Sequence, residues 1–203
     1  SMSLKDTYNR IAEDWYKDHH DDSWWIGGTD TFVSLLPQGG SVLDVGCGAG
    51  VKSKYLAAKG LQVTSIDFSE KLIEIAKRDV PGPEFLVMDM KDAASLKGEF
   101  NGVFSQASLL HIPKKEVPDV LKGLAGRLKK GGHLYIAVKE QWEESPEEEV
   151  KVENDYGYEY ERFFSYFTMD ELRGYLKKLG MEVMYEHEGK VNKTTWLQII
   201  GKK

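Results

Sequence analysis

Val42-Leu43-Asp44-Val45-Gly46-Cys47-Gly48-Ala49-Gly50 runs a short, mostly apolar stretch into a turn with glycine at every second position. The apolar residues predict a buried strand, and the glycines predict a turn whose backbone can approach a ligand closely. Val51, Tyr55 and Leu56 then fall on one side of a helix that Gly60 closes. A strand, a glycine-rich turn and a helix N-terminus form a device for nucleotide-like ligands, because the first helical N–H groups are free to bind them. Two ligand classes compete for it. A dinucleotide site wants G-x-G-x-x-G, but here the third glycine position is Val51. Asp67 lies 21 residues after Gly46, at the end of the next expected strand, where a carboxylate can accept both hydroxyls of a ribose. Asp89 repeats that placement one strand later.

Outward from this loop the chain alternates. Strands are expected at Leu61–Ile66, Glu84–Met88, Gly102–Ala107 and His133–Val138. Between them lie a helix capped by Ser69 and a helix carrying Val117, Val120, Leu121, Leu124 and Leu128 on one stripe. Five strands alternating with helices predict a parallel sheet covered on both faces. Ahead of the loop, Tyr8, Ile11, Ala12, Trp15 and Tyr16 mark an amphipathic helix capped by Asp6 or Thr7, and Thr29–Leu36 a second short one. Behind it, Thr168-Met169-Asp170-Glu171 is a capping box, and Met181–His187 with Thr195–Ile200 reads as a closing hairpin. The expectation is a single domain over residues 3–203, with 3–37 as a helical cap; Ser1 ahead of Met2 reads as an expression remnant.

Between 139 and 166 the alternation lapses. Residues 139–162 hold ten acidic side chains against Lys139, Lys151 and Arg162, a local −7 in a chain of 203 residues with net charge −6. Such runs are commonly solvated, yet Trp142, Tyr156, Tyr158, Tyr160, Phe163, Phe164 and Tyr166 are too aromatic for a disordered tail. The segment is therefore read as an acidic, aromatic lid over the sheet edge. The overall acidity disfavours nucleic acid and anionic membranes as partners. No apolar run approaches the roughly 20 residues of a membrane span. The single cysteine, Cys47, fits a cytoplasmic setting without disulfides.

The loop closely resembles the first motif of class I S-adenosylmethionine-dependent methyltransferases. Ile66-Asp67-Phe68-Ser69 is similar to their ribose-binding acidic turn, and Val87-Met88-Asp89-Met90 to their adenine-binding turn. Phe104-Ser105-Gln106-Ala107-Ser108-Leu109-Leu110-His111 resembles the fourth-strand motif of the small-molecule branch, and Lys129-Lys130-Gly131-Gly132 the turn into the fifth strand. The resemblance implies a Rossmann-like α/β sheet of seven strands, ordered 3-2-1-4-5-7-6 with strand 7 antiparallel. It implies S-adenosylmethionine as cofactor, a small-molecule methyl acceptor and in-line displacement. Gly46, Cys47 and Gly48 would pass beside the methionine part and Asp44 would face its amino group. Asp67 would take the ribose hydroxyls, with Phe68 on the adenine, Asp89 at its amino group and Met88 and Met90 on its ring. Gln106 would lie near the sulfonium, and Tyr8 and Tyr16 would close over the cofactor.

The acceptor side is less marked. His111, just past the fourth strand, is the candidate general base if the acceptor loses a proton, or else a packing residue. Trp24, Trp25, Tyr158 and Arg162 are candidate substrate contacts. The pocket would then take a cation drawn by the surplus carboxylates and aromatic faces, or a carboxylate gripped by Arg162, and the net charge favours the cation. His19-His20-Asp21-Asp22 carries metal-capable side chains on adjacent residues that point apart, so no metal is expected. Two other function classes remain: a noncatalytic cofactor-binding or interaction domain and, against Val51, a nucleotide-dependent oxidoreductase.

Overall fold

The computed structural model describes residues 2–203; Ser1, read above as an expression remnant, lies outside them. In chain order the elements are α1 (Leu4–His19), α2 (Ile26–Ser34), β1 (Ser41–Val45), α3 (Val51–Ala58), β2 (Gln62–Asp67), α4 (Glu70–Asp79), β3 (Glu84–Val87) and β4 (Phe100–Gln106). They continue with α5 (Val117–Ala125), β5 (Leu128–Lys139), β6 (Glu148–Glu153), β7 (Tyr160–Ser165), α6 (Met169–Lys178), β8 (Glu182–Val191) and β9 (Thr194–Lys202). Seven strands form one sheet in the order β3-β2-β1-β4-β5-β9-β8. The first five are parallel, β9 runs antiparallel to β5, and β8 pairs antiparallel to β9. This is the expected order with the closing hairpin in place.

Burial explains why the inner strands are nearly all apolar. Leu43, Val45, Ile66, Val103, Leu134, Ile136 and Ile199 turn to one face, where α5 and α6 cover them. Val42, Val63, Phe104, Tyr135 and Ile200 turn to the other, under α2 and α3. On that second face Phe104 stacks on Tyr135 with ring centroids 4.5 Å apart. The helix starts follow side-chain capping. Ser69 Oγ accepts from the Leu72 N–H, and Thr168 and Glu171 exchange both bonds of a capping box. The first helix departs from expectation: its cap is Ser3, which accepts from the Asp6 N–H, so the helix starts earlier than the aromatic stripe suggested.

The acidic segment departs further. β6 and β7 form a separate antiparallel hairpin, with Glu148 opposite Ser165 and Glu153 opposite Tyr160. Its polarity is inverted. Val150 and Val152 are each 59% exposed, whereas Glu149 and Glu153 on the opposite face are half-buried. An alternating strand with its apolar side outward reads in sequence as a solvated charge run. The hairpin is tied to the main sheet by Phe167, whose N–H donates to Lys139 O while its carbonyl accepts from Gln141.

Phe104 is fully buried, so Phe104→Ala removes its ring from a packed face and should cost about 3–5 kcal/mol in urea unfolding. Thr168→Ala, which removes one cap, should cost only about 1 kcal/mol. A Phe104→Ala loss no larger than the capping loss would contradict this packing.

Candidate active site

The strand order reverses between β1 and β4, and the loops beyond those strand ends open a crevice there, where open α/β sheets place ligands. The crevice holds a cavity of about 280 Å³, walled by the β1–α3 loop, the ends of β2 to β5, α1 and the β6–β7 hairpin.

The β1–α3 loop is pinned from below. Gly46 and Cys47 both donate to the Ile66 carbonyl, at 2.8 and 3.0 Å. Gly48 N–H donates to one oxygen of Asp67 at 3.0 Å, and Ser69 N–H to the other at 2.9 Å. Gly46 has φ +70°, and a Cβ there would sit 2.3 Å from Cβ of Ser108, so glycine is required twice over. Each Asp67 oxygen accepts one N–H and so keeps further acceptor capacity, and Asp67 lines the cavity. Burial pushes the Asp67 carboxyl up to about 6 against the two N–H donors. Asp44, also buried, accepts from Ser53 Oγ at 2.7 Å, and burial pushes it up to about 7. The Cys47 thiol is buried and held well above its usual range by desolvation. Phe68, Met88, Asp89 and Met90 wall the far end, with Asp89 capping the Lys91 N–H at 3.0 Å.

Other expected residues divide. Tyr8, Gln106, His111, Trp24 and Arg162 line the cavity. Tyr16 does not: it points to the opposite flank of α1, against Asp79. Trp25 does not either. Its ring, 3% exposed, packs edge-on against Tyr55, and its indole N–H donates to the Asp22 carbonyl at 2.7 Å. Tyr158 donates to Asp14 at 2.8 Å and lies under Arg10, outside the cavity. The aromatic character of all three is used in packing α1, α2 and the hairpin.

Arg162 is present but already engaged. Its Nε and one terminal nitrogen donate to Glu153 at 2.7 and 2.8 Å, and the other donates to the Tyr8 hydroxyl at 3.1 Å. It is thus not a free grip for a substrate carboxylate. The surplus carboxylates of the acidic segment do not line the cavity either. Every acidic side chain on the cavity wall, Asp22, Asp44, Asp67 and Asp89, comes from outside the acidic segment. The segment's carboxylates face solvent or are bonded elsewhere.

Tyr8, in turn, donates to His111 Nε2 at 2.8 Å, while His111 Nδ1 lies 2.7 Å from the Phe163 carbonyl. A carbonyl only accepts, so Nδ1 carries the proton and Nε2 receives the phenol. Burial, reinforced by Arg162, pushes His111 down to about 3. Four residues, Glu153, Arg162, Tyr8 and His111, therefore form one chain of bonds joining the hairpin, α1 and the end of β4.

Trp15 and Phe164, from the α1 stripe and the lid aromatics, line the cavity too, as do Lys52, Lys139 and Trp196, to which the sequence attaches no site signal. Lys52 is a buried ammonium whose pKa burial lowers, with Asp22 and Asp44 acting the other way. Two buried donors, Gln106 Nε2 and Trp15 Nε1, lack a partner among the described residues. The Gln106 amide is oriented by Tyr135, whose O–H donates to Oε1 at 2.6 Å, which leaves the NH₂ unmet. Unmet donors and a cation, together with the acceptor oxygens of Asp67, the ring of Phe68 and the thioether side chain of Met88, fit an amino acid joined to a nucleoside.

Residues 18–186 match the profile of a methyltransferase domain family. A ubiquinone biosynthesis O-methyltransferase of Xanthomonas axonopodis pv. citri is 34% identical over 108 residues, covering 51% of this chain and 44% of that protein. The chain spans about half the length of the curated relatives it matches. A SAM-dependent methyltransferase of Methanosarcina mazei superposes with TM-score 0.72 at 25% identity, over 84% of this chain and 95% of that one. The Burkholderia thailandensis 1,6-didemethyltoxoflavin-N1-methyltransferase, solved with bound 1,6-didemethyltoxoflavin and S-adenosylhomocysteine, has TM-score 0.77 at 19% identity, over 98% of this chain and 87% of that one. The profile match spans most of the chain and its fold carries the matching crevice, so the chain belongs to the methyltransferase domain family, whose cofactor is S-adenosylmethionine.

Proposed function

We propose that this protein transfers a methyl group from S-adenosylmethionine to a small molecule held between α1, the end of β5 and the β6–β7 hairpin. The observation that carries the reading is the Asp67 carboxylate, locked by two backbone N–H groups with its remaining lone pairs available. The cofactor supplies the methyl group on a sulfonium, and positioning supplies much of the rate. Asp67 holds the ribose hydroxyls, Asp89 the adenine amino group, and Phe68, Met88 and Met90 the ring. Asp44 faces the cofactor's ammonium, Gln106 and Lys52 its carboxylate. The hairpin is the lid, with residues 3–37 as the cap that closes the opposite side, and both exclude water from the reacting centre. A small acceptor rather than nucleic acid is supported by the crevice and by the chain's net charge of −6. The single buried thiol supports a cytosolic setting.

His111 is neither the general base nor a mere packing residue in this reading: it orients Tyr8. Both ring nitrogens are bonded and its pKa lies near 3, so it fixes the Tyr8 hydroxyl at the cavity wall and does not collect a proton. A general base typically contributes about 10²–10⁴-fold. His111→Ala should therefore lower turnover by less than about 10²-fold, with cofactor affinity nearly unchanged and no loss of an acidic limb near pH 6.5 in the pH–rate profile. A larger loss, together with disappearance of such a limb, would restore the base role. The acceptor for this assay comes from a metabolite mixture incubated with isotopically labelled cofactor, followed by identification of the compound that gains label.

Two calorimetric measurements test cofactor binding. Asp67→Ala removes two charge-assisted bonds worth roughly 1.5–3 kcal/mol each and should weaken S-adenosylhomocysteine binding by about 10²-fold or more. Tight binding of NAD by the wild type, or unchanged affinity in the variant, would overturn the reading. The second is pH. Ligand hydroxyls and an ammonium favour the ionised carboxylates, so affinity should rise with pH through about 6 and about 7 as Asp67 and Asp44 lose protons, then level off. The ligand-free protein should behave oppositely over the same range. Its folded-state carboxyl pKa values lie above the unfolded ones, so folding holds extra protons and stability falls as pH rises toward neutral. Affinity that is flat, or that falls with pH, would contradict the assignment.

A further inference from the structure

Lys139 closes β5 and stands in register with Trp196 of β9. Its Nζ lies 4.2 Å over the Phe164 ring and 5.6 Å from the Trp196 ring, at the wall of the cavity. An ammonium has three N–H donors, and aromatic faces attract its charge without offering an oxygen to accept them. Among the described residues no carboxylate lies within 4.0 Å of it. The acidic groups whose charge reaches it are Glu153, which Arg162 holds, and Glu149, which lies beside the Tyr166 hydroxyl. Its other charged neighbours, Arg162 and Lys151, repel it. Burial, then those two cations, pushes Lys139 down to about 8, so it stays mostly charged at neutral pH. Beside it Trp24 and Trp196 stack at 3.9 Å with planes 14° apart, which presents a flat indole surface to the same end of the cavity. A cation with unmet donors next to a flat aromatic wall is a matched pair of features. Neither belongs to the cofactor end, where Asp67, Phe68 and Met88 lie.

We propose that Lys139 anchors an anionic group, a carboxylate or an ionised hydroxyl, on a planar aromatic acceptor that lies against Trp196. This rests on the methyl-transfer reading above and adds the acceptor's chemical class to it. Lys139 binds and orients; no proton transfer is assigned to it.

The test uses three compounds of one shape: 3,4-dihydroxybenzoate, its uncharged methyl ester, and the cationic amine dopamine. Each is titrated into the full chain, followed by calorimetry and by quenching of tryptophan fluorescence, with and without S-adenosylhomocysteine. The benzoate should bind about tenfold or more tighter than the ester, and dopamine weakest. Lys139→Gln should bring the benzoate to within about twofold of the ester, while Lys139→Arg, which keeps the charge and guards against a folding defect, should retain the preference. Cofactor affinity should be unchanged in both variants. Equal binding of acid and ester, a preference for dopamine, no binding by any of the three, or a preference that survives Lys139→Gln would each overturn the proposal. A Lys139→Gln protein that keeps its benzoate affinity but loses turnover would also overturn it. Failure of S-adenosylhomocysteine to bind would instead strike the methyl-transfer reading, and the titrations without it separate the two failures.

Discussion

The Asp67 carboxylate is the interaction on which the site depends. It stands at the end of β2 and holds two turns at once, the β1–α3 loop through Gly48 and the β2–α4 turn through Ser69. Its burial is costly, and the raised pKa registers that cost. The two N–H donors offset part of it, and the remaining acceptor capacity is left for a ligand. A carboxylate fixed in this way does not need to reorganise when hydroxyls arrive. The glycines make the arrangement sterically possible. At position 46 any side chain would collide with Ser108, which is itself tied to the Val45 carbonyl at 2.8 Å. The end of β4 is thereby drawn against the loop, and this brings Gln106 to the cavity wall.

The side of the cavity under the β6–β7 hairpin is assembled differently. No single strand end supplies it. Glu153 and Arg162 form a pair only 10–12% exposed within the hairpin, and Arg162 reaches across to Tyr8 on α1. Removing one member of such a pair leaves a buried charge unmatched, so the hairpin and α1 are expected to behave as one unit. The phenol of Tyr8 then meets His111, and the chain of bonds ends at the backbone of β7. Three segments distant in sequence are held together by polar groups with few spare valences. Lys139 is the exception, and that makes it informative.

The sheet and the cofactor half were legible because their signals are local. The glycine spacing, the aspartates at strand ends and the Ser69 and Thr168 caps each act within a few residues of themselves, and the antiparallel closing hairpin follows from two apolar runs and a short polar loop. The hairpin side of the cavity was not legible for an equally physical reason. β6 alternates, but Val150 and Val152 face solvent while Glu149 and Glu153 are half-buried, which reverses the rule that makes alternation readable. Trp24 and Trp25 are neighbours in sequence, yet one ring lines the cavity and the other packs on Tyr55. Tyr16 and Tyr158 have the composition of a binding wall and are spent on packing α1. Lys52 and Lys139 carry no motif at all. What marks Lys139 is the absence of a carboxylate within 4.0 Å of its ammonium, and what marks Lys52 is its place on the cavity wall, both of which only the folded chain displays.

The most direct measurement is a crystal structure of the protein with S-adenosylhomocysteine. The account predicts both ribose hydroxyls on Asp67, the adenine amino group at Asp89, and the amino acid end between Asp44, Lys52 and Gln106, with the sulfur facing the space beneath Tyr8 and Trp196. A ligand seated away from Asp67, or one reversed so that the adenine lies against Gln106, would contradict it.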